Sequence, residues 1–360
     1  MNGPPSEHPL DKNGGASAII VRNTPPTSDP GESAVCHVGG FFFGPMTDNT
    51  LKPFKTFDEQ LNLLKIRGLS VGDNQAALAA LERLGYYRLS GYFYPLRKTK
   101  PRGEPGRLNE FQDGASMELV VALAEFDKRL RLMTLYAVET IEIAVRVAIG
   151  HRLGRHCTEA HLQPSLLDGR FTRDPGTGSR YHDWLCRFEK ACKDSKEDFI
   201  EHHRKQYGGR LPIWVATEIW DFGMLSRFFS GMQHRDQAAI ATSLGVGDAE
   251  AMTTWLRAIN FARNVAAHHG RLWNRTNIQT PKLPPADRCR AVSILHRNPT
   301  SLPKLFGTLT CIRVLMEGTR DDSGWLHQIK AHVQAFPQSP LVNLSMAGFP
   351  DGWQDDEFWR

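Results

Sequence analysis

The sequence lacks a Cys-x-x-Cys pair and any regular cysteine framework. Its six cysteines, Cys36, Cys157, Cys186, Cys192, Cys289 and Cys311, are scattered. That spacing excludes a disulfide-stapled secreted domain and the common zinc ribbons, and reads as reduced thiols. A zinc site drawn from Cys157, Cys186, Cys192 and the His202-His203 pair would match no usual ligand spacing, so no metal and no cofactor are expected. An apolar run near Met1 is also missing, and longer apolar stretches are broken by charge, as in "TIEIAVRVAIG". No membrane span is expected, and the chain reads as cytoplasmic. Charge of one sign is not in large excess. Lys+Arg number 44 against 39 Asp+Glu, a net +5, which permits nucleic-acid contact through clustered basic residues without demanding it. Finally, no period-two alternation persuades as a strand.

What is present is an ordinary globular mixture, 41% hydrophobic and 23% charged over 360 residues, enough for one large core. Residues 1–48, rich in Pro, Gly, Ser, Asn and Thr, read as a disordered tail. The "GGFFFGP" run near the tail's end carries no assigned function. From Lys52 the pattern turns helical. Thr56 suits an N-cap, and Ala77, Leu78, Leu81 and Leu84 line one side of a helix that stops near Gly85. The aromatic cluster "GYYRLSGYFYPLR" can stack bases but is more often packing. Residues 115–153 form the strongest helical signal, with Leu119, Leu123, Phe126, Leu130, Met133, Ala137, Ile141 and Ala148 at three- and four-residue steps. Helices are expected around 182–207, after Pro212, from a cap at Asp248 through residue 275, and around 286–297, 301–318 and 323–336. The aromatic, acidic end "FPDGWQDDEFWR" is expected to fold back onto the body. The fold class is all-α: a helical bundle with a domain over 49–278 and a helical extension over 279–360 packed on the same body.

The stretch that carries chemistry is "FARNVAAHHGRLWNR", residues 261–275. On a regular helix Asn264 and His268 share a face, while Arg263 lies about 140° from His268 and must reach round. An imidazole can exchange a proton near neutral pH. A guanidinium can hold phosphate oxygens bidentately and neutralise charge building on phosphorus. Together they suit RNA cleavage by the substrate's own 2′-OH without a metal. On spacing alone, though, Arg and His on a helix are more often a solvated face.

The wider sequence resembles the abortive-infection proteins of the AbiD/AbiF type. The blocks that carry the likeness are "LGYYRLSGYFYPLR" (84–97), "EFDKRLRLMTLYAVETIEIAVRVAIGHRLG" (125–154), "LPIWVATEIWDFGMLSRFF" (211–229) and "RNVAAHHGRLWNR" (263–275). The Arg-x4-His string opening with Arg-Asn resembles the signature of the HEPN ribonuclease superfamily. The resemblance implies a HEPN-like bundle, RNA as substrate, and a role in bacterial defence or as a toxin. It implies a homodimer whose composite site takes Arg263 and His268 from both subunits. A small antitoxin RNA, linked to some such proteins, is a further implied partner.

The expected roles are His268 as general acid/base, Arg263 on the phosphorane, and Asn264 orienting the ring or the phosphate. His269 satisfies the same permissive spacing and is the competing histidine. On the long helix Arg131, Glu139, Glu142 and Arg146 fall within about 80° of arc opposite the apolar stripe. Such a stripe is usually just solvated, yet Glu142 and Arg146, with Glu139 behind them, could support the site. Arg271, Arg275, Arg131 and Lys282 are the expected RNA contacts, and Trp273 reads as a packing anchor. Two other classes stay open: a non-catalytic RNA-binding sensor or regulator, and a purely protein–protein regulatory bundle.

Overall fold

The computed structural model describes residues 51–360 apart from 175, 177 and 322, so the expected tail and its "GGFFFGP" run lie outside the described residues. Phe54–Arg360 forms one unit. It opens with α1 (Phe57–Ile66), α2 (Asn74–Leu84) and α3 (Tyr86–Phe93), followed by the strands β1 (Arg97–Thr99) and β2 (Arg107–Phe111). Then come α4 (Met117–Gly154), α5 (Gly169–Thr172), α6 (Arg180–Asp194), α7 (Asp198–Tyr207), α8 (Ile213–Ala216), α9 (Phe222–Gly231), α10 (His234–Ser243) and α11 (Ala249–Ala267). The C-terminal part adds α12 (Ser293–Arg297), α13 (Leu305–Thr319) and α14 (Trp325–Gln334). No helix among the described residues is long and apolar enough to cross a membrane.

Local chemistry sets most of these boundaries. Thr56 and Glu59 form a reciprocal capping box at α1, and Gly85, at φ 78°, closes α2. Ser116 starts α4 by accepting from the Leu119 N–H at 3.2 Å. At 38 residues, α4 runs about 57 Å and is the spine. Helices α3, α8, α9, α10, α11, α13 and α14 all pack against it. Close approach on one side needs glycine: a Cβ at Gly150 would stand 3.1 Å from the Trp214 Cα.

Three expectations need correction. The 97–111 segment forms a two-stranded antiparallel hairpin, with Arg97 opposite Phe111 and Thr99 opposite Arg107. Strands this short and polar leave no alternation to read. The helix expected over 182–207 is two helices, because Arg204 turns back to donate to the carbonyls of Cys192, Lys193 and Ser195 and so caps the end of α6. The helix after Pro212 is also two, since Asp221 accepts from the Met224 N–H at 2.7 Å and starts α9 afresh. The acidic C-terminus does fold back: Trp353 and Trp359 are buried and pack with Phe306, the Phe306 and Trp359 rings 5.4 Å apart.

One buried polar residue gives the core a pH dependence. His161 is fully buried, its ring edge-on to Phe188 at 5.1 Å, and among the described residues neither ring nitrogen has a partner. Burial pushes its pKa down from 6.5 to about 4. The unfolded chain therefore takes a proton as pH falls through the ordinary histidine range, while the folded chain resists until near the lower value. Stability is lost across that window, up to about 3 kcal/mol. In urea titrations at about pH 7 and about pH 4, His161→Phe is expected to remove that part of the acid sensitivity. An unchanged pH slope would mean that the ring is not neutral in the core.

Candidate functional site

The Asp248 carboxylate accepts from the Ala251 N–H at 2.8 Å and opens α11. Trp255, Leu256, Ile259, Ala262 and Ala266 drive one face of the helix into the core. Its last turns carry Arg263 and Asn264. The helix ends sooner than expected, at Ala267, and His268 is its C-cap rather than a mid-helix residue. His269 adopts φ 57°, and its N–H reaches the Ala266 carbonyl at 3.0 Å while the Gly270 N–H reaches Val265 at 2.8 Å. This is a Schellman turn in which histidine holds the left-handed place that glycine usually takes, at a cost of about 1–2 kcal/mol. Arg88 steadies the turn by donating to the His269 carbonyl at 3.1 Å.

Beyond the turn the backbone is pinned to α4. The buried Asp127 carboxylate accepts from the Leu272 N–H at 3.1 Å, the Trp273 N–H at 2.7 Å, the Tyr92 hydroxyl at 2.7 Å and the Arg131 guanidinium. Burial holds the Asp127 carboxyl above its ordinary value, and these donors offset part of that rise. Every one of them points a hydrogen at it, which is the arrangement that an ionised carboxylate satisfies. Trp273 is fully buried beside Phe336, a packing anchor as expected.

The geometry divides the candidate residues. Arg263 donates to Asn264 Oδ1 at 3.2 Å. Burial holds the Glu142 carboxyl above its ordinary value; the Arg146 charge, and less strongly that of Arg263, offsets part of this, while Asp221 and Glu139 add to it. The Arg263 charge is thus felt at Glu142, on the helix α4 against which α11 packs. Arg146 is fixed there by its pair with Glu142 and by a bond to the Trp220 carbonyl at 2.8 Å. Glu142 and Arg146 are therefore not on a solvated stripe, whereas Glu139 is. The Glu142 and Arg146 side chains are only 13% and 18% exposed.

His268 is exposed. Among the described residues its ring makes no hydrogen bond, and Asn264 spends its oxygen on Arg263 rather than on that ring.

Three expected RNA contacts lie elsewhere. Arg131 is buried, bonded to Asp127, to Tyr92 and to the Gly270 carbonyl, and so has no face for a phosphate. Arg271 is turned inward onto the Gly91 carbonyl, where burial lowers its pKa. Lys282 pairs with Glu250 at the opposite end of α11, about 20 Å along the axis from Arg263. Arg275 stays exposed, its guanidinium 5.6 Å from the Phe261 ring centre. Among the described residues no three His, Cys, Asp or Glu side chains gather as a metal site; Cys186 instead faces His182 at 3.6 Å.

The sequence reading missed Asp127 and Tyr92. The available signal was an Asp-Arg pair four residues apart, with Asp127 falling on the apolar face between Leu123 and Leu130.

The body is α-helical and built on one long spine, with an Arg-Asn pair and an exposed histidine at the end of a core helix. A family model described as Abi-like protein matches residues 79–274. The chain belongs to that family, which points to abortive infection. The match takes in the first three quoted blocks in full and the fourth except for its last residue. No curated protein and no solved structure matches the chain.

Proposed function

We propose that the chain is a metal-independent endoribonuclease of the HEPN type acting in bacterial abortive infection. The observation that carries the reading is the end of α11. There Arg263 has no carboxylate within ion-pair distance among the described residues, and the His268 ring is exposed and unbonded one turn beyond. Both groups are thus open to an incoming phosphodiester.

In the reaction the substrate 2′-OH attacks the adjacent phosphorus and loses its proton to an imidazole. Arg263 neutralises the charge that builds on the phosphoryl oxygens. The P–O5′ bond breaks, and the leaving oxygen takes a proton from an imidazolium. The products carry a 2′,3′-cyclic phosphate and a 5′-OH. One imidazole cannot be base and acid at once, so a homodimer presenting two copies of the helix end fits the chemistry. A small antitoxin RNA would silence the site by occupying it.

A second reading, a non-catalytic RNA sensor, draws on the same unbonded ring, because nothing among the described residues orients His268. Mapping RNA ends in cells expressing wild type and His268→Ala separates the two. Catalysis gives new 5′-OH ends that vanish in the variant; a sensor gives none in either.

A further inference from the structure

One partly exposed face of α11 runs Thr253, Arg257, Asn260, Asn264, each three or four residues from the next, and points on toward His268. From Arg257 onward that face is the floor of a cleft of about 630 Å³ walled by α6 and α9. Arg180 from the first turn of α6, Arg227 from α9 and Arg257 from α11 all line it, together with Asn260, Asn264 and Gln279. A second hollow of about 460 Å³ shares Arg180, Arg257, Phe171 and Ser230 and extends the same groove toward His234.

The charges in this groove are unevenly spent. Asp168 at its far end is neutralised by Arg170 at 2.9 Å, and Glu250 by Lys282. Arg227 and Arg257 have no ion pair or side-chain hydrogen bond among the described residues. Arg180 gives one bond, to the Arg170 carbonyl at 3.0 Å. Against these three guanidiniums stands the carboxylate of Asp183 alone.

We infer that this groove holds the backbone of single-stranded RNA and leads it along α11 to Arg263 and His268. The inference rests on the ribonuclease reading of that helix end and adds the path by which substrate reaches it. From Thr253 to Asn264 the floor is about 16 Å long, so the arginines line a track rather than a point. Phosphates supply the charge they lack. The amides of Asn260, Asn264 and Gln279 line the same cleft and can meet base edges, which a single strand offers and a duplex keeps paired.

The test uses the full chain in a His268→Ala background with a short fluorescein-labelled single-stranded RNA, titrated from about 50 to about 200 mM salt. Each of Arg180→Gln, Arg227→Gln and Arg257→Gln is expected to weaken binding and to flatten the plot of log K against log salt by about 0.7, the triple variant by about 2. Arg257→Lys should keep the slope, since a phosphate contact needs only the charge. Arg210→Gln, an exposed arginine paired with Glu159 outside the groove, should leave it unchanged. Equal losses from Arg210→Gln, equal affinity for a duplex of the same sequence, or no binding at all each overturn the inference. Cleavage by the His268-containing chain is scored separately. Cleavage with an unaltered salt slope removes the groove and keeps the nuclease; a flattened slope without cleavage does the reverse.

Discussion

His268→Ala is expected to slow RNA cleavage by about 10²- to 10⁴-fold, the range for losing a positioned general acid or base. Arg263→Ala should cost about 10²- to 10³-fold, as for removing one donor from a developing oxyanion. Arg263→Lys should recover little, because an ammonium cannot make the planar two-pronged contact. EDTA should leave the wild-type rate intact. The neighbouring histidine behaves differently. His269 occupies a left-handed turn position, and its carbonyl, not its ring, is what Arg88 holds. His269→Gly keeps that carbonyl and relieves the strained φ. It is therefore expected to cleave at close to the wild-type rate and to be more stable by about 1 kcal/mol. Initial rates on a labelled RNA, with urea midpoints for the same proteins, check the whole set. Should His269→Gly lose activity while His268→Ala keeps it, the histidine assignment is reversed.

That contrast marks where the sequence was legible and where it was not. Periodic apolar spacing found α4 within two residues at each end, because 38 residues of sustained pattern outweigh local noise. Caps at Thr56, Ser179 and Asp248 announce themselves by chemistry, and the structure shows all three side chains accepting an N–H, although only Thr56 and Asp248 were anticipated. The end of α11 was hidden because its left-handed residue is histidine, where a glycine would have signalled the stop one residue earlier than Gly270 does. Charged residues on α4 were misjudged for a related reason. Helical arc says which residues share a side, but not whether other helices cover that side. Arg131 and Arg146 look alike on the wheel, yet one is locked onto Asp127 and the other onto Glu142 and the Trp220 carbonyl. The groove arginines came from three helices far apart in sequence, and only tertiary packing puts Arg180 beside Arg257.

The largest expected loss of stability comes from Asp127→Ala. The substitution strips a buried carboxylate from four donors at once. It leaves the Arg131 guanidinium, 8% exposed, without its counter-charge, a loss of about 3–5 kcal/mol. Against a native stability of about 5–15 kcal/mol that is a large share, and the urea midpoint should fall accordingly. Removing both charges together separates the ion pair from the anchor. If only the pair mattered, Asp127→Leu with Arg131→Met would return to wild-type stability, since apolar replacement of a buried pair is often neutral. The Leu272 and Trp273 amides argue otherwise. They still need an acceptor after both charges are gone, and each orphaned N–H costs about 1–3 kcal/mol. The double variant is therefore expected to recover only part of the loss. It should also cleave more slowly than its stability alone explains, because the chain from Gly270 to Trp273 is what fixes the turn that presents His268. Full recovery of both stability and rate would show that the turn holds its shape without Asp127, and that the carboxylate serves the core and not the site.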